Sequence, residues 1–328
     1  VDDDTTLNVV YDCGANGGVC SSGVQKVTKR LKLSDALREA PSTPSKTGFS
    51  FDGWNTNKDA KERLRNLKSS DVKGSGKTIT LYALYKKDAS VRFHYYDSSS
   101  NSVSVTTSKC YIYSDNDDSC GFSTPAKVSS STTKYGSSFV GLAIEPGSMT
   151  MVDKNNLKIN TDYYALYSKK LTYYYYKDNT YVKGNLYRNE FIDNNNQMTT
   201  VVSDSESLTS NAMFNGSKGP GGSAFVGISA NANVSNVITD INKVALSNMS
   251  LLYSVYRFNV LFAPGKNVSS VGTSETSCDT TYNNTTCKVS VPSVTPTSGF
   301  TFLGWSSNFN GGNEVNTSEL KVSSNNQK

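Results

Sequence analysis

Gly48-Phe-Ser-Phe-Asp-Gly-Trp54, followed by Ile79-Thr-Leu-Tyr-Ala-Leu-Tyr85, is the stretch on which the reading of this chain turns. Both halves recur. The first returns almost intact as Gly299-Phe-Thr-Phe-Leu-Gly-Trp305, and without the Trp as Gly136-Ser-Ser-Phe-Val-Gly141 and Gly222-Ser-Ala-Phe-Val-Gly227. The second returns as Asp162-Tyr-Tyr-Ala-Leu-Tyr167 and Ser250-Leu-Leu-Tyr-Ser-Val-Tyr256. From Phe51 to Phe139, Phe225 and Phe302 the steps are 88, 86 and 77 residues, a period of roughly 80 that marks a tandem repeat.

Each Tyr-rich segment leads within a few residues into an alternating apolar run: Val91, Phe93 and Tyr95; Leu171, Tyr173 and Tyr175; Phe258, Val260 and Phe262. Leu7, Val9 and Tyr11 begin the same pattern at the amino end. Alternation with period two places these residues on one face of a half-buried strand. The modules so delimited are 1-87, 88-168, 169-256 and 257-328. Lys86 to Ser90 is the whole connection between the first two, and the strand pattern passes from Tyr256 to Phe258 with hardly a break. Joints this short leave little room for independent tumbling, so a semi-rigid, elongated array is expected.

Within a module the expected order is strand, turn, strand, short helix or loop, Phe-x-Gly strand, variable segment and closing Tyr-rich strand. Ser34 is placed to cap a short helix over Asp35 to Ala40, and Ala60, Leu64 and Leu67 fall on one face of a second. In the third module Val234, Val237, Ile238, Ile241 and Val244 stand in that second helix's place. After Trp305 the chain runs 23 residues to Lys328, whereas module one uses 27 to go from Trp54 to Leu81. The fourth module is therefore expected to lack its closing strand, which either a longer array or a neighbouring subunit would provide by strand addition.

Gly-Phe-x-Phe-x-Gly-Trp, preceded by Pro and followed about 25 residues later by the Tyr-rich strand, resembles the internalin-type B repeat, also called the Listeria-Bacteroides repeat. Pro44 to Tyr85 carry the resemblance best, Pro296 to Trp305 carry half of it, and modules two and three are remote copies. The resemblance implies a compact β-grasp-like module, found in tandem in bacterial surface proteins, with no catalytic residues to transfer. The expected class is thus mainly β (α+β). The expected role is a non-catalytic surface stalk or fibre, adhesive or structural.

Bulk properties agree. Ser, Thr, Asn and Tyr dominate, hydrophobic residues make up 36%, and mean hydropathy is −0.46, a polar β balance unlike a helical enzyme or a membrane protein. No apolar run approaches the roughly 20 residues of a spanning helix. The net charge of +5 is modest, and its clusters at Lys26 to Lys32 and Lys58 to Lys77 read best as solvated faces. The six cysteines fall as Cys13 and Cys20, Cys110 and Cys120, Cys278 and Cys287. Fifteen pairings of six cysteines exist, and proximity favours these three. Zinc would require tighter Cys and His spacings, and the chain has one His. Disulfides imply an oxidising, extracellular setting.

Candidate chemistry is sparse. Gly74-Ser-Gly-Lys-Thr78 resembles the end of a phosphate-binding loop, but Asp71 occupies the place of its first glycine and a strand follows, so a turn is the better reading. His94 is read as a mid-strand surface residue. Asp115-Asn-Asp-Asp-Ser119 lacks the glycine and glutamate of a calcium loop and reads as a solvated hairpin tip. Asn-x-Ser/Thr sequons at Asn215, Asn233, Asn248, Asn267, Asn283, Asn284 and Asn316 arise by chance in so Asn- and Ser-rich a chain. Among Tyr173 to Tyr176, alternation sends Tyr173 and Tyr175 inward and leaves Tyr174 and Tyr176 outward, where exposed rings can stack on sugars or anchor a protein. No cofactor, metal or nucleic acid is implied. The partners to expect are other surface proteins, copies of the chain itself, or a host protein or glycan.

Overall fold

The computed structural model describes residues 5–72, 77–203, 218–240, 250–312, 314–315 and 318–328. The protein is mainly β, and the only α-helix among the described residues is the single turn Ala126–Ser129. Two compact units divide the chain: Val1–Phe93 with Val105–Pro125 and Val152–Tyr163, and His94–Ser104 with Ala126–Met151 and Tyr164–Lys328.

In the first unit β1 (Thr6–Asp12) buries Leu7, Val9 and Tyr11, as alternation requires. β2 (Lys26–Lys32) pairs antiparallel with β1, and its Lys26 and Arg30 face solvent, which shields an edge strand from further pairing. β3 (Ser50–Asn55) carries the Phe-x-Gly-Trp motif and pairs antiparallel with β4 (Thr78–Asp97). β4 also runs parallel to β1, with Val9 opposite Ile79 and Tyr11 opposite Leu81. The resulting order is β2-β1-β4-β3. Leu7, Val9, Tyr11, Trp54, Ile79, Leu81, Ala83 and Tyr85 form its core. The β3 ladder shifts register between Phe51 and Gly53. Gly53 has φ +147, and a Cβ there would lie 2.5 Å from Cβ of Arg63, so the bulge admits only glycine. β5 (Ser102–Ile112) ends in this unit at the Cys110–Cys120 pair.

Two helices expected here do not form. The segment after β2 makes one 3-10 turn, Leu33–Asp35, with no side-chain cap, so Ser34 does not act as one. Ala60, Leu64 and Leu67 lie in an irregular segment, because tertiary bonds hold it along β3: Leu64 N–H donates to Trp54 O at 2.8 Å, and the Asn55 amide donates to Glu62 O at 2.8 Å. Val234, Val237 and Ile238 are likewise non-helical, with Ile238 bridged to Ile228. Ile241 and Val244 lie outside the described residues.

The second unit repeats the plan. β6 (Ser138–Ala143) pairs with β7 (Thr161–Lys177), which pairs with β8 (Thr180–Ile192); β9 (Met198–Ser203) follows on β8. β10 (Ala224–Ser229) pairs with β11 (Leu251–Leu261), and β11 runs parallel to β7 with Leu252 opposite Tyr173. The glycine bulge recurs between Phe139 and Gly141 and between Phe225 and Gly227. β12 (Val268–Val271) pairs with β15 (Val294–Pro296), β13 (Glu275–Thr280) with β11, and β14 (Cys287–Ser290) with β16 (Glu319–Val322). Beyond β16 the chain turns beside β11: Asn326 N–H donates to Asn259 O, and Leu261 N–H to Gln327 O, each at 2.8 Å.

Candidate functional site

The tyrosines singled out on β7 belong to a larger aromatic cluster. Tyr173 is buried, whereas Tyr174, Tyr175 and Tyr176 are each half-buried. Tyr174 stacks on Tyr253 with centroids 5.4 Å apart and lies 4.3 Å from Tyr282. Tyr176 meets Tyr181 edge-on at 5.2 Å and Tyr256 at 6.4 Å. Tyr253, Tyr282 and Tyr181 come from β11, the loop after β13, and β8, so three hairpins converge on one aromatic surface. Burial pushes the Tyr181 phenol up, as it does those of Tyr173 and Tyr256. These rings are kept neutral, and the cluster offers stacking faces and hydroxyls rather than charge.

A second recurrent arrangement sits at the joints. Tyr85, Tyr167 and Tyr256, which end the three Tyr-rich segments, pack edge-on against Phe51, Phe139 and Phe225, 6.2 to 6.4 Å away. The next residue is clamped each time. Lys86 pairs with Asp52 at 3.1 Å and lies over the Tyr111 ring at 4.2 Å. Asp52 also accepts from the Tyr113 hydroxyl at 3.0 Å; burial, then this bond, pushes that phenol up to about 12. Ser168 donates to Asn189 on β8 at 2.8 Å. Arg257 grips Asp279 on β13 through two bonds of 2.7 and 3.0 Å. Closing and opening segments are one strand at every joint: Ile79 to Phe93 in β4, Tyr164 to Lys177 in β7, and all of β11.

Residues 8–84 and 259–327 match the Listeria-Bacteroides repeat domain. These two stretches are Listeria-Bacteroides repeats. No curated protein and no solved structure matches the chain. The matched stretches contain the two copies of the Trp-bearing motif, and between them the bulge recurs at Phe139 and Phe225 and the closing tyrosine at Tyr167 and Tyr256.

In the first matched stretch Cys13 and Cys20 sit 5.3 Å apart at Cα after β1; in the second, Cys278 within β13 and Cys287 at the start of β14 are 5.9 Å apart. Cys110, within β5, and Cys120 beyond it are 6.2 Å apart. All three separations lie in the span of a disulfide. Thus the repeat tolerates a staple at different loops.

Other sequence candidates are placed as follows. His94 is only 9% exposed and stacks on Tyr164 with centroids 4.3 Å apart, so it is not the surface residue expected. The alternation was read correctly, but both faces of β4 are covered there. The acidic tip is cross-braced by lysines: Asp117 to Lys61 at 3.4 Å, Asp118 to Lys158 at 2.8 Å and Asp115 to Lys87 at 3.8 Å. Among the described residues no group of three or more His, Cys, Asp or Glu is arranged to hold a metal. Nor is any helix among them long and apolar enough to cross a membrane. Gly74, Ser75 and Gly76, and the sequons at Asn215, Asn248 and Asn316, lie outside the described residues.

One cluster escaped the sequence reading. Arg188, Asn189 and Glu190 are consecutive on β8 and all buried. Arg188 donates through Nε to Ser137 Oγ at 3.2 Å and through its guanidinium to Tyr135 O, and Glu190 accepts from Thr133 Oγ1 at 2.5 Å. Burial lowers the Arg188 pKa, with Glu190 opposing the shift. A charged pair flanking an asparagine in a strand whose neighbours alternate was the available signal. Such a network fixes one packing arrangement more than it adds stability.

Proposed function

We propose that the protein is a non-catalytic, extracellular surface protein whose tandem repeats act as a load-bearing stalk or fibre in an adhesive or structural role. The observation that carries this reading is the joint. At each one the strand that closes a module opens the next, and the residue after the closing tyrosine is clamped, by Asp52 at Lys86, Asn189 at Ser168 and Asp279 at Arg257. Tension passing along such a strand must shear ladder hydrogen bonds together rather than straighten a linker. The Listeria-Bacteroides repeats support a surface setting, since that family occurs in bacterial surface proteins. The three cysteine pairs suit an oxidising compartment. Pulling single molecules from their two ends is the test. Discrete high-force unfolding steps are expected, with the step that includes β11 weakened in Arg257→Ser. Smooth extension at negligible force sinks the reading.

A second reading, a glycan- or protein-binding surface at the tyrosines, is favoured by the convergence of Tyr174, Tyr253, Tyr282 and Tyr181 on one half-exposed patch. Its partners would be host glycans or proteins, with aromatic stacking as the recognition chemistry. Tyr174→Ser and Tyr176→Ser should then abolish retention on a glycan or host-protein array while the far-ultraviolet spectrum stays native. Unchanged retention removes it.

A further inference from the structure

Tyr174 touches two other tyrosine rings, and the two contacts differ in kind. Tyr253 lies opposite it on β11, with the ring planes 10° apart and the centroids at 5.4 Å. Strand pairing fixes both backbones, so these two rings stay face to face. Tyr282 stands in the loop between β13 and β14, and its ring meets Tyr174 at 4.3 Å with the planes inclined by 43°. That is closer than either ring comes to Tyr253, at 5.4 and 5.7 Å. Inclined planes bring the carbon edges of two rings together on one side, and a side chain on a loop can swing to complete the approach.

Tyr174 and Tyr282 are both half-buried, so an oxidant reaches them while their surroundings hold them in contact. Two neighbours are placed otherwise. Tyr173 is buried, and Tyr181 commits its O–H to Asn284 O at 2.6 Å. Tyr282 lies inside the loop that Cys278 and Cys287 close, which limits how far its ring can leave Tyr174. The oxidising setting that favours such a cysteine pair also favours oxidation of exposed phenols.

We propose that Tyr174 and Tyr282 form an oxidative cross-linking site, joined by a carbon–carbon bond between their rings when a one-electron oxidant of the peroxidase class acts with hydrogen peroxide. Each phenol gives up one hydrogen atom and becomes a phenoxyl radical, whose unpaired electron is shared with the ring carbons ortho to oxygen. One such carbon from each ring pairs to form the bond. Each coupled carbon then passes its own hydrogen to the phenol oxygen as a proton, which restores both hydroxyls. The two hydrogens lost overall reduce one peroxide to two waters. The disulfide closes the loop after β13 on itself, and the new bond fastens that loop to β7.

The test treats the full chain, with its disulfides formed and at low concentration, with a peroxidase and hydrogen peroxide. Monomers lighter by two hydrogens are expected, with the blue fluorescence of a coupled phenol pair. Digestion should yield a peptide bearing Tyr174 joined to one bearing Tyr282. Tyr282→Phe keeps the ring but has no phenol to oxidise, so the coupled peptide and its fluorescence should vanish from the monomer while the far-ultraviolet spectrum stays native. Tyr111→Phe is the control for exposure. Tyr111 is 49% exposed, whereas both partners are half-buried, and coupling should be unchanged without it. The proposal is overturned if no coupled monomer forms, if the link maps to another pair such as Tyr174 and Tyr253, or if coupling joins only separate chains. It is overturned equally if Tyr111→Phe, rather than Tyr282→Phe, abolishes the product.

Discussion

Residues 48–54 and 299–305 share Gly-Phe-x-Phe-x-Gly-Trp, yet only the first is part of a strand. In both, the Trp meets the upstream Phe and the opening-strand aromatic at nearly equal distances, and the second glycine takes nearly the same positive φ. The aromatic trio and the bulge are therefore local properties of the motif. Strand character is not. It appears where β4 supplies a partner to β3, while residues 301–304 form no ladder and only Trp305 is bridged, to Val315. Burial follows the partner: Trp54 is buried and Phe51 half-buried, whereas Trp305 is half-buried and Phe302 exposed.

The sharpest way to break this comparison is to remove each Trp. Trp54→Ala should cost about 3–5 kcal/mol, the range for emptying a closed aromatic core position. The loss should appear as faster amide exchange throughout β1, β3 and β4. Trp305→Ala should cost markedly less, because its pocket is open on one side and can relax. Equal losses at the two sites would mean that the closing strand adds nothing to the packing.

Next in size are the staples. The Cys13–Cys20 pair lies inside the closed core, with both residues at most 1% exposed, whereas Cys278 and Cys287 are half-buried. On chain entropy alone a loop of this length contributes about 2.5 kcal/mol in either place. Replacing Cys13 and Cys20 by Ser should exceed that figure, because two hydroxyls would be buried in the cluster of Leu7, Tyr11 and Trp54. The same exchange at Cys278 and Cys287 should stay near it. Chemical denaturation of the two double variants measures the difference.

How far this contrast was legible in the sequence depends on whether a feature is local. The alternation at Leu7, Val9 and Tyr11, the Phe-x-Gly strand of residues 50–55 and the three cysteine pairs are local, and the structure carries each of them. The expected helices after β2 and β3 rested on capping and spacing, and side-chain and backbone bonds to β3 overrode them. His94 and the Arg188–Glu190 network were missed for a common reason. Alternation tells which face of a strand a residue takes, but not whether a second layer covers that face. Tyr174 was read as outward; it is half-buried, against Tyr253 and Tyr282 from segments more than 70 residues away.

Titration separates the two regions in another way. Burial pushes Tyr11 and Tyr85 up to about 12, with Glu39 and Asp12 adding to the rise. An unfolded tyrosine titrates near 10. Below about pH 10 both states hold the proton, and what these phenols contribute is fully present. Between about 10 and 12 only the unfolded chain releases it, so stability falls with rising pH through that window. Phe262, which stands where Tyr11 does, has no phenol to release. Denaturant melts at about pH 9 and 11, followed by Trp54 emission in a Trp305→Phe chain, should shift to lower denaturant at the higher pH, and Tyr11→Phe should reduce the shift.

The smallest effect concerns the closing tyrosine itself. Tyr85 donates its hydroxyl to Cys13 O at 2.7 Å, whereas the Tyr256 hydroxyl accepts from Tyr176 N–H at 2.8 Å. Removing the hydroxyl leaves a stranded acceptor in one module and a stranded donor in the other. A carbonyl with two lone pairs tolerates a lost partner better than an N–H, which has a single proton to place. Tyr85→Phe should therefore cost about 1 kcal/mol and Tyr256→Phe somewhat more, with both rings still packed on Phe51 and Phe225. Exchange at the Tyr176 amide reports the second case directly, rising in Tyr256→Phe while the rest of β7 is unchanged. Were Tyr85→Phe the costlier of the two, the Cys13 carbonyl would depend on its donor more than the Tyr176 N–H depends on its acceptor.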